Sequence, residues 1–355
     1  MIKIGIFGPS NDQEVQALKK RLVNRGVKPV VIDLSGFPEA LPITITRDDI
    51  IIDDNSLFDI RAAFLRSRGI KVPEFAKYDE NFIVDSPEQW RVLYSQFISY
   101  IQSEIRCQKV RNSILKSFSN KRPLVNPLLK NDLHRLKTYL FRHLKKNGLP
   151  VPPFMIGTSP KPLKWFVEEA FKCSNGAVTK PLAGIYKTFL WDESAWENHK
   201  WNERGAFYQY YIKGDTIRCY VLNGKVIASA IIVHGDTVDS SMSQTGIKVV
   251  KLPERAKRIA ERVTKVLEIP FCGMDLMKEE DTGSYYVIDC NISPMFVNFA
   301  RLSQNDISAK IADYLIECAQ SGDRPKIKGL SLLDEVKDII EKDPDIRKMI
   351  SRKGL

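Results

Sequence analysis

Histidine is scarce in this chain of 355 residues, with four in all, and its six cysteines are scattered. His134, His143, His199 and His234 show no metal-ligand spacing. Cys107, Cys173, Cys219, Cys272, Cys290 and Cys318 include no C-x-x-C pair. Neither a zinc ribbon nor a disulfide framework is therefore written into the sequence, and reduced thiols in the cytoplasm are the expectation. The opening MIKIGIFG reads as a strand rather than a signal peptide. The longest apolar run of the second half, IASAIIV from Ile227, is far shorter than a membrane span. The G-x-G-x-x-G spacing that lets a pyrophosphate approach the backbone is also missing from GIFGPSNDQE, which argues against a dinucleotide dehydrogenase. There is no internal repeat and no low-complexity segment.

Apolar residues make up 43% and charged residues 27%, an ordinary globular balance that allows two or three packed units. Ile2 to Phe7, Gln13 to Arg25 and Lys28 to Ile32 read as strand, helix and strand, a doubly wound α/β opening, with a further strand near Asp48 to Asp53. Apolar residues at helical spacing from Ser86 to Ser119, among them Trp90, Leu93, Phe97, Tyr100 and Ile101, predict one or two helices closing that unit. The Pro-rich passage from Arg122 to Pro127 then opens a second one. A helix over Leu133 to Lys146 is followed by short strands at Phe154–Ile156, Ala177–Lys180 and Phe207–Ile212. Asn223-Gly224 marks a hairpin between Arg218–Leu222 and Lys225–Val233. Beyond it come an amphipathic helix (Glu254–Glu268), two strands (Phe271–Met277 and Tyr285–Cys290), a helix (Ile307–Cys318) and a charged helical tail from Ser331. The expected boundaries are 1–122, 123–205, 206–330 and 331–355.

The net charge is +11, and the stretch from Ile101 to Pro150 carries twelve Lys or Arg against Glu104 and Asp132 alone. A solvated helical face explains this as well as a surface for a polyanion does. Few aromatics interleave with these basic residues, which argues against nucleic acid. Three clusters carry the chemistry. Asp275 lies within CGMDLM, and Asp289 and Asn291 within YYVIDCNISP, so acids occupy apolar strands. A buried carboxylate wants a partner or a metal, and two carboxylates with an amide oxygen suit Mg²⁺ shared with phosphates. The plainer reading is a pair of strand-end carboxylates near solvent. Lys180, in VTKPLAG, and Lys137 offer cations of the kind a triphosphate needs. YQYYIKGDTIR, from Tyr208 to Arg218, reads as strand, tight turn and strand, able to show backbone groups to a base edge and an acid to a ribose. For its tyrosines a core role is the simpler reading.

The order K…GLPVP…TKPLAG…YQYYIKGDTIRCYVLNGKVIA…CGMDLM…YYVIDCNISP resembles the ATP-grasp superfamily over about Asn126 to Cys318. Within it the chain looks most like RimK-type glutamate ligases and microviridin-type peptide ligases. The resemblance implies an α/β (α+β) ATP-grasp fold behind an N-terminal Rossmann-like pre-ATP-grasp domain. It implies an ATP-dependent carboxylate–amine ligase working through an acyl phosphate. Lys137 and Lys180 would meet the α- and β-phosphates, and the loop from Leu182 to Thr188, with Gly184, would fold over them. Gln209, Tyr210, Tyr211 and Ile212 would form the hinge at adenine, and Asp215 would bind ribose. Asp275, Asp289 and Asn291 would hold two Mg²⁺ ions, with Mn²⁺ as a substitute. Arg218 would hold the acyl phosphate or its acceptor.

Several positions depart from that pattern. The phosphate loop has one glycine. Asp289 stands where Glu is usual, and Thr216 stands where the ribose acid is usual. Ser240 and Ser241 stand where an arginine is expected, leaving Lys248 as a substitute cation. The expected partners are ATP, a carboxylate substrate and an amine acceptor, with an acidic peptide suited to the basic stretch. Reversing Lys109, Arg111 and Lys116 would test that suitability. A homo-oligomer is compatible with the resemblance, and no membrane is expected. The alternatives are a kinase on the same nucleotide site that phosphorylates a hydroxyl, or a nucleic-acid-binding protein.

Overall fold

The computed structural model describes residues 1–69, 86–131, 133, 136–157, 159–181, 188–191, 206–234 and 244–322. The expected tail helix from Ser331 lies outside them.

The chain opens with β1 (Lys3–Phe7), α1 (Gln13–Val23) and β2 (Lys28–Ile32), as the periodicity predicts. Asp12 starts α1 by accepting the Val15 N–H on its side chain, which satisfies one of the helix's free donors. A small antiparallel sheet of β3 (Ile43–Ile45), β4 (Ile50–Ile52) and β5 (Asn55–Ser56) follows, then β6 (Ile60–Leu65). Next come α2 (Pro87–Lys121), β7 (Leu124–Val125), α3 (Leu128–Asn131) and α4 (Lys137–Lys146). The first sheet, in the order β2-β1-β6-β7, is parallel throughout.

Helix α2 is one continuous element of 35 residues, not two. Only its second half enters the core, through Cys107, Arg111, Ile114, Leu115 and Phe118. The aromatic stripe of its first half stays outside: Trp90 is 61% exposed and Phe97 44%. Arg111 is fully buried. It pairs with Glu104 and donates to the carbonyls of Leu34 and Phe37. Arg111 is thus an internal strut, and Lys130 is paired with Glu268. Two members of the basic stretch are therefore not free surface charge.

A second, antiparallel sheet has the order β10-β9-β11-β8, from β8 (Phe154–Gly157), β9 (Ala177–Pro181), β10 (Phe189–Leu190) and β11 (Ala206–Tyr210), with α5 (Pro160–Cys173) beside it. The third sheet, β14-β13-β12-β15-β16, is also antiparallel. It contains β12 (Gly214–Leu222), β13 (Lys225–His234), β14 (Gln244–Val249), β15 (Phe271–Glu279) and β16 (Tyr285–Asn291). Asn223 and Gly224 both have positive φ, 49° and 71°, the pair of left-handed residues that closes a two-residue hairpin. Helix α6 (Glu254–Leu267) lies between β14 and β15, and α7 (Val297–Ser303) and α8 (Ile307–Ser321) follow β16.

The third sheet is covered on both faces. One face, with Ile217, Cys219 and Val221, packs with Ala256, Ala260 and Val263 of α6 and with Leu140 and Leu144 of α4. The other, with Tyr220, Leu222 and Ala230, joins a core that also contains Ile4, Ile6, Leu18 and Phe64 from the first unit and Ile311 and Leu315 from α8. The N-terminal unit thus shares a hydrophobic core with α8. Among the described residues no helix is long and apolar enough to cross a membrane.

Candidate active site

Three charged side chains of the third sheet stand side by side because of strand register. Arg218 of β12 lies opposite Asp275 of β15, and Asp275 lies opposite Asp289 of β16. Opposed residues of antiparallel strands point to the same face, so all three project together. Arg218 Nε donates to Asp275 Oδ1, and its Nη2 donates to Oδ2 at 2.8 Å, a forked ion pair. The side chain of Asp275 is 11% exposed and that of Arg218 32%. The Asp275 charge raises the Arg218 pKa above its already high value, so the guanidinium stays charged at any working pH. Asn291 lies two residues beyond Asp289, opposite Gly273. Its Oδ1 accepts the Ser293 N–H at 3.1 Å.

The register slips between Asp275 and Leu276, where Ile288 is passed over. Such a bulge releases a backbone group from the ladder. The Ile288 carbonyl accepts Lys180 Nζ at 2.9 Å, bringing the lysine of β9 to the edge of the acidic cluster. Lys180 also donates to Gln209 Oε1 at 3.0 Å. That contact fixes the amide's orientation, because the reverse orientation would set NH₂ against ammonium. Gln209 is 1% exposed, and its Nε2 has no hydrogen-bond partner among the described residues. A buried donor without an acceptor costs about 1–3 kcal/mol, so this position suits an acceptor supplied from outside the chain.

The segment after Gln209 is pinned from both sides. The Tyr210 N–H donates to Pro153 O at 2.9 Å, and the Tyr211 N–H donates to Gly176 O at 2.8 Å. Ser174 Oγ donates to Tyr211 O at 2.6 Å. Ile212 is buried, and its backbone N–H and C=O make no hydrogen bond among the described residues. Its edge is free for a planar donor–acceptor ligand. Gly214 then passes so close to β15 that a Cβ there would lie 1.9 Å from Lys278 O. Of the tyrosines, Tyr208 is core: it packs on Trp191 at 5.5 Å, and burial pushes its phenol up to about 12. The Tyr210 ring rests on Phe166 at 5.0 Å.

Lys137 opens α4, whose first turn holds no acid and whose N-cap, Leu136, makes no side-chain cap. Such a helix start is open to an anion. Two candidates lie elsewhere. Alternation puts Asp215 with Ile217, on the face opposite Arg218, and exposed; Thr216 is the residue sharing Arg218's face, buried with its hydroxyl toward Met277 Sδ at 3.8 Å. Lys248, opposite Ile231, also falls on the face away from Arg218. Gly184, Ser240 and Ser241 lie outside the described residues.

Two residues here escape sequence reasoning. Gln209 turns its side-chain amide toward Lys180, where the motif suggests mostly backbone groups. Arg66, at the end of β6, hydrogen-bonds the turn after Asn291 through Ser293. An arginine closing an apolar parallel strand is its one sequence signal.

The RimK-like ATP-grasp domain model matches residues 137–315, just over half of the chain. The chain belongs to the RimK-like ATP-grasp family. Human N-acetylaspartylglutamate synthase A is 34% identical over 212 residues, covering 55% of this chain and 53% of that protein. The tetrahydromethanopterin:alpha-L-glutamate ligase of Methanocaldococcus jannaschii is 23% identical over 239 residues, covering 61% and 81%. The chain thus spans about half the length of the human relative that it matches. Among solved structures, the ATP-grasp ligase PsnB, complexed with a phosphomimetic variant of its minimal precursor, Mg and ADP, superposes with a TM-score of 0.75. That match has 23% identity and covers 89% of this chain and 98% of the other. It shows that the chain shares the ATP-grasp ligase's fold over most of its length.

Proposed function

We propose that this RimK-like chain is an ATP-dependent ligase that joins a carboxylate to an amine through an acyl phosphate, with a peptide or protein as one substrate. The observation that carries the reading is the register of Arg218, Asp275 and Asp289 with Lys180 tied to Ile288, the neighbour of Asp289 on β16. A cation, a carboxylate pair and an amide oxygen meet within one patch beside the segment from Gln209 to Ile212. Family membership and the names of the relatives, a glutamate ligase and a ligase complexed with a precursor peptide, support the same chemistry.

In this reading adenine lies along Ile212, whose free backbone edge suits a base, and the Gln209 NH₂ donates to the nucleotide. Lys180, held by Gln209 and Ile288, and Lys137 at the start of α4 meet the phosphates. Asp275, Asp289 and Asn291 would supply hard oxygen donors for two magnesium ions, and the remaining positions would fall to phosphate oxygens and water. Bound there, the metal would spread the charge of the transferring phosphoryl group.

A substrate carboxylate oxygen attacks the γ-phosphorus and ADP leaves. The amine nitrogen then attacks the acyl carbon, phosphate leaves, and the amine gives up a proton. Arg218, fixed by Asp275, stands at the patch where the acyl phosphate would carry its charge. Positioning supplies most of the acceleration.

The test is ADP release with hydroxylamine as a trap, in Mg²⁺ and ATP with pooled amino acids and peptides, beside an Asp289→Ala control. A hydroxamate that appears with ADP and is lost in the control supports the acyl phosphate, and its mass identifies the acid. A stable phosphorylated hydroxyl product without hydroxamate would refute the ligase and favour the kinase.

A further inference from the structure

The turn that carries Asn291 is not held by its own sheet alone. Arg66 leaves the end of β6 in the N-terminal unit, and its guanidinium joins two acids to that turn. Nε donates to Asp12 Oδ1 at 3.2 Å and Oδ2 at 3.1 Å, and Nη2 donates to Glu14 Oε2 at 3.3 Å. Nη1 donates to Ser293 O at 2.8 Å and to Ser293 Oγ at 3.0 Å. The Ser293 hydroxyl donates in return to the Arg66 carbonyl at 2.8 Å, while the Ser293 N–H holds Asn291 Oδ1. Glu14 fixes the far side of the turn, its Oε1 accepting the N–H groups of Phe296 at 3.2 Å and Val297 at 3.4 Å. Arg66 and Glu14 are both largely buried here.

We infer that Arg66 is a positioning residue for the magnesium site, acting through Ser293 on the metal-facing amide of Asn291. The inference rests on the assignment of Asp275, Asp289 and Asn291 as that site. Its chemistry is that of an outer-shell partner, which sets the direction of a ligand without touching the metal. The arrangement has little slack. Every polar atom of Ser293 is committed, and a forked guanidinium reaches Asp12, Glu14 and Ser293 together, which one ammonium cannot do. The N-terminal unit thereby helps to set metal affinity, although it lies before the matched ATP-grasp region.

A purely structural clamp between the N-terminal unit and α8 would behave differently, and the molecule contains a control for it. Arg25 of the N-terminal unit pairs with Asp313 of α8 and donates to Ala309 O, and these contacts do not involve the Asn291 turn.

The experiment is calorimetric titration of Mg²⁺ into the full chain at saturating ADP, with ADP binding in EDTA measured in parallel. Arg66→Ala should raise the Mg²⁺ concentration for half-saturation by roughly 10–100-fold, the usual loss when an outer-shell partner is removed, and leave metal-free ADP binding unchanged. Arg66→Lys should recover part of the loss. Ser293→Ala, which removes one hydroxyl and keeps the fold if Arg66→Ala does not, should shift half-saturation in the same direction by several-fold. Arg25→Ala should leave it within about twofold of wild type. Equal shifts in Arg25→Ala and Arg66→Ala, or none in Arg66→Ala and Ser293→Ala, would overturn the inference while leaving the site assignment intact. Wild type whose Mg²⁺ titration is unaffected by Asp289→Asn would overturn the assignment, and the inference with it.

Discussion

In the proposed site Arg218 and magnesium would share one carboxylate, and removing the arginine should expose the competition between them. Arg218 holds both oxygens of Asp275. A metal engaging Asp275 would share that carboxylate with the guanidinium and meet its positive charge at close range. Two unit charges about 4 Å apart attract by about 4 kcal/mol at an effective dielectric of 20. Part of this returns as solvation when a guanidinium that is already 32% exposed is released. Close charge pairs measured by double-mutant cycles retain a coupling of about 1.5 kcal/mol or more, equivalent to roughly tenfold in an equilibrium constant. Arg218→Met should therefore tighten Mg²⁺ binding at saturating ADP by about tenfold. It should also destabilise the metal-free chain, where Asp275 is left without its counter-charge, by about 2 kcal/mol. Hydroxamate formation should fall in spite of the tighter metal. Calorimetry reads the first quantity, and urea unfolding with and without Mg²⁺–ADP reads the second. Unchanged or weaker Mg²⁺ binding in Arg218→Met would refute the shared-carboxylate argument.

Gly214→Ala should cost at least about 3 kcal/mol in urea unfolding, or prevent folding, because its Cβ would meet the Lys278 carbonyl at 1.9 Å. Ellman's reagent should titrate one thiol quickly in the native chain, Cys173, and all six in denaturant, since the other five are buried. Burial and the neighbouring Cys290 push the Cys272 thiol up, so raising pH to 9 should not add a fast-reacting group. Reversing Lys109 and Lys116 should weaken the binding of an acidic peptide without altering ADP binding, and unchanged peptide affinity would remove the basic surface from the proposal. Arg111→Ala should instead unfold the chain readily, losing about 3–5 kcal/mol, because Glu104 and two carbonyls lose their partner.

Features encoded by local pattern could be read before the fold was known. Asn223-Gly224 announces its hairpin, and the acids of CGMDLM and YYVIDC stand out because apolar strands rarely carry them. Features that depend on parity or distant partners could not. Asp215 and Thr216 differ by one residue, and only the pleat decides which shares a face with Arg218. Arg111 counts as surface charge in any composition, yet its partners are Glu104 and carbonyls some 75 residues earlier. The first half of α2 has a core-like stripe that the structure leaves exposed. The helix expected from Leu133 begins only at Lys137. In sequence Gln209 reads as mostly a backbone position, and only the fold brings Lys180, far from it in the chain, onto its amide.

The core shared by α1, β6 and α8 also constrains the order in which the molecule can be made. Phe64 and Leu18 find their covering residues, Ile311 and Leu315, only near the end of the described chain. At synthesis rates of about 5–20 residues per second, the finished N-terminal strands wait roughly 10–50 s for that cover. During that interval an apolar sheet face is exposed beside the ribosome. A nascent chain of this kind suits a chaperone that shields the first unit and releases it once α8 has emerged.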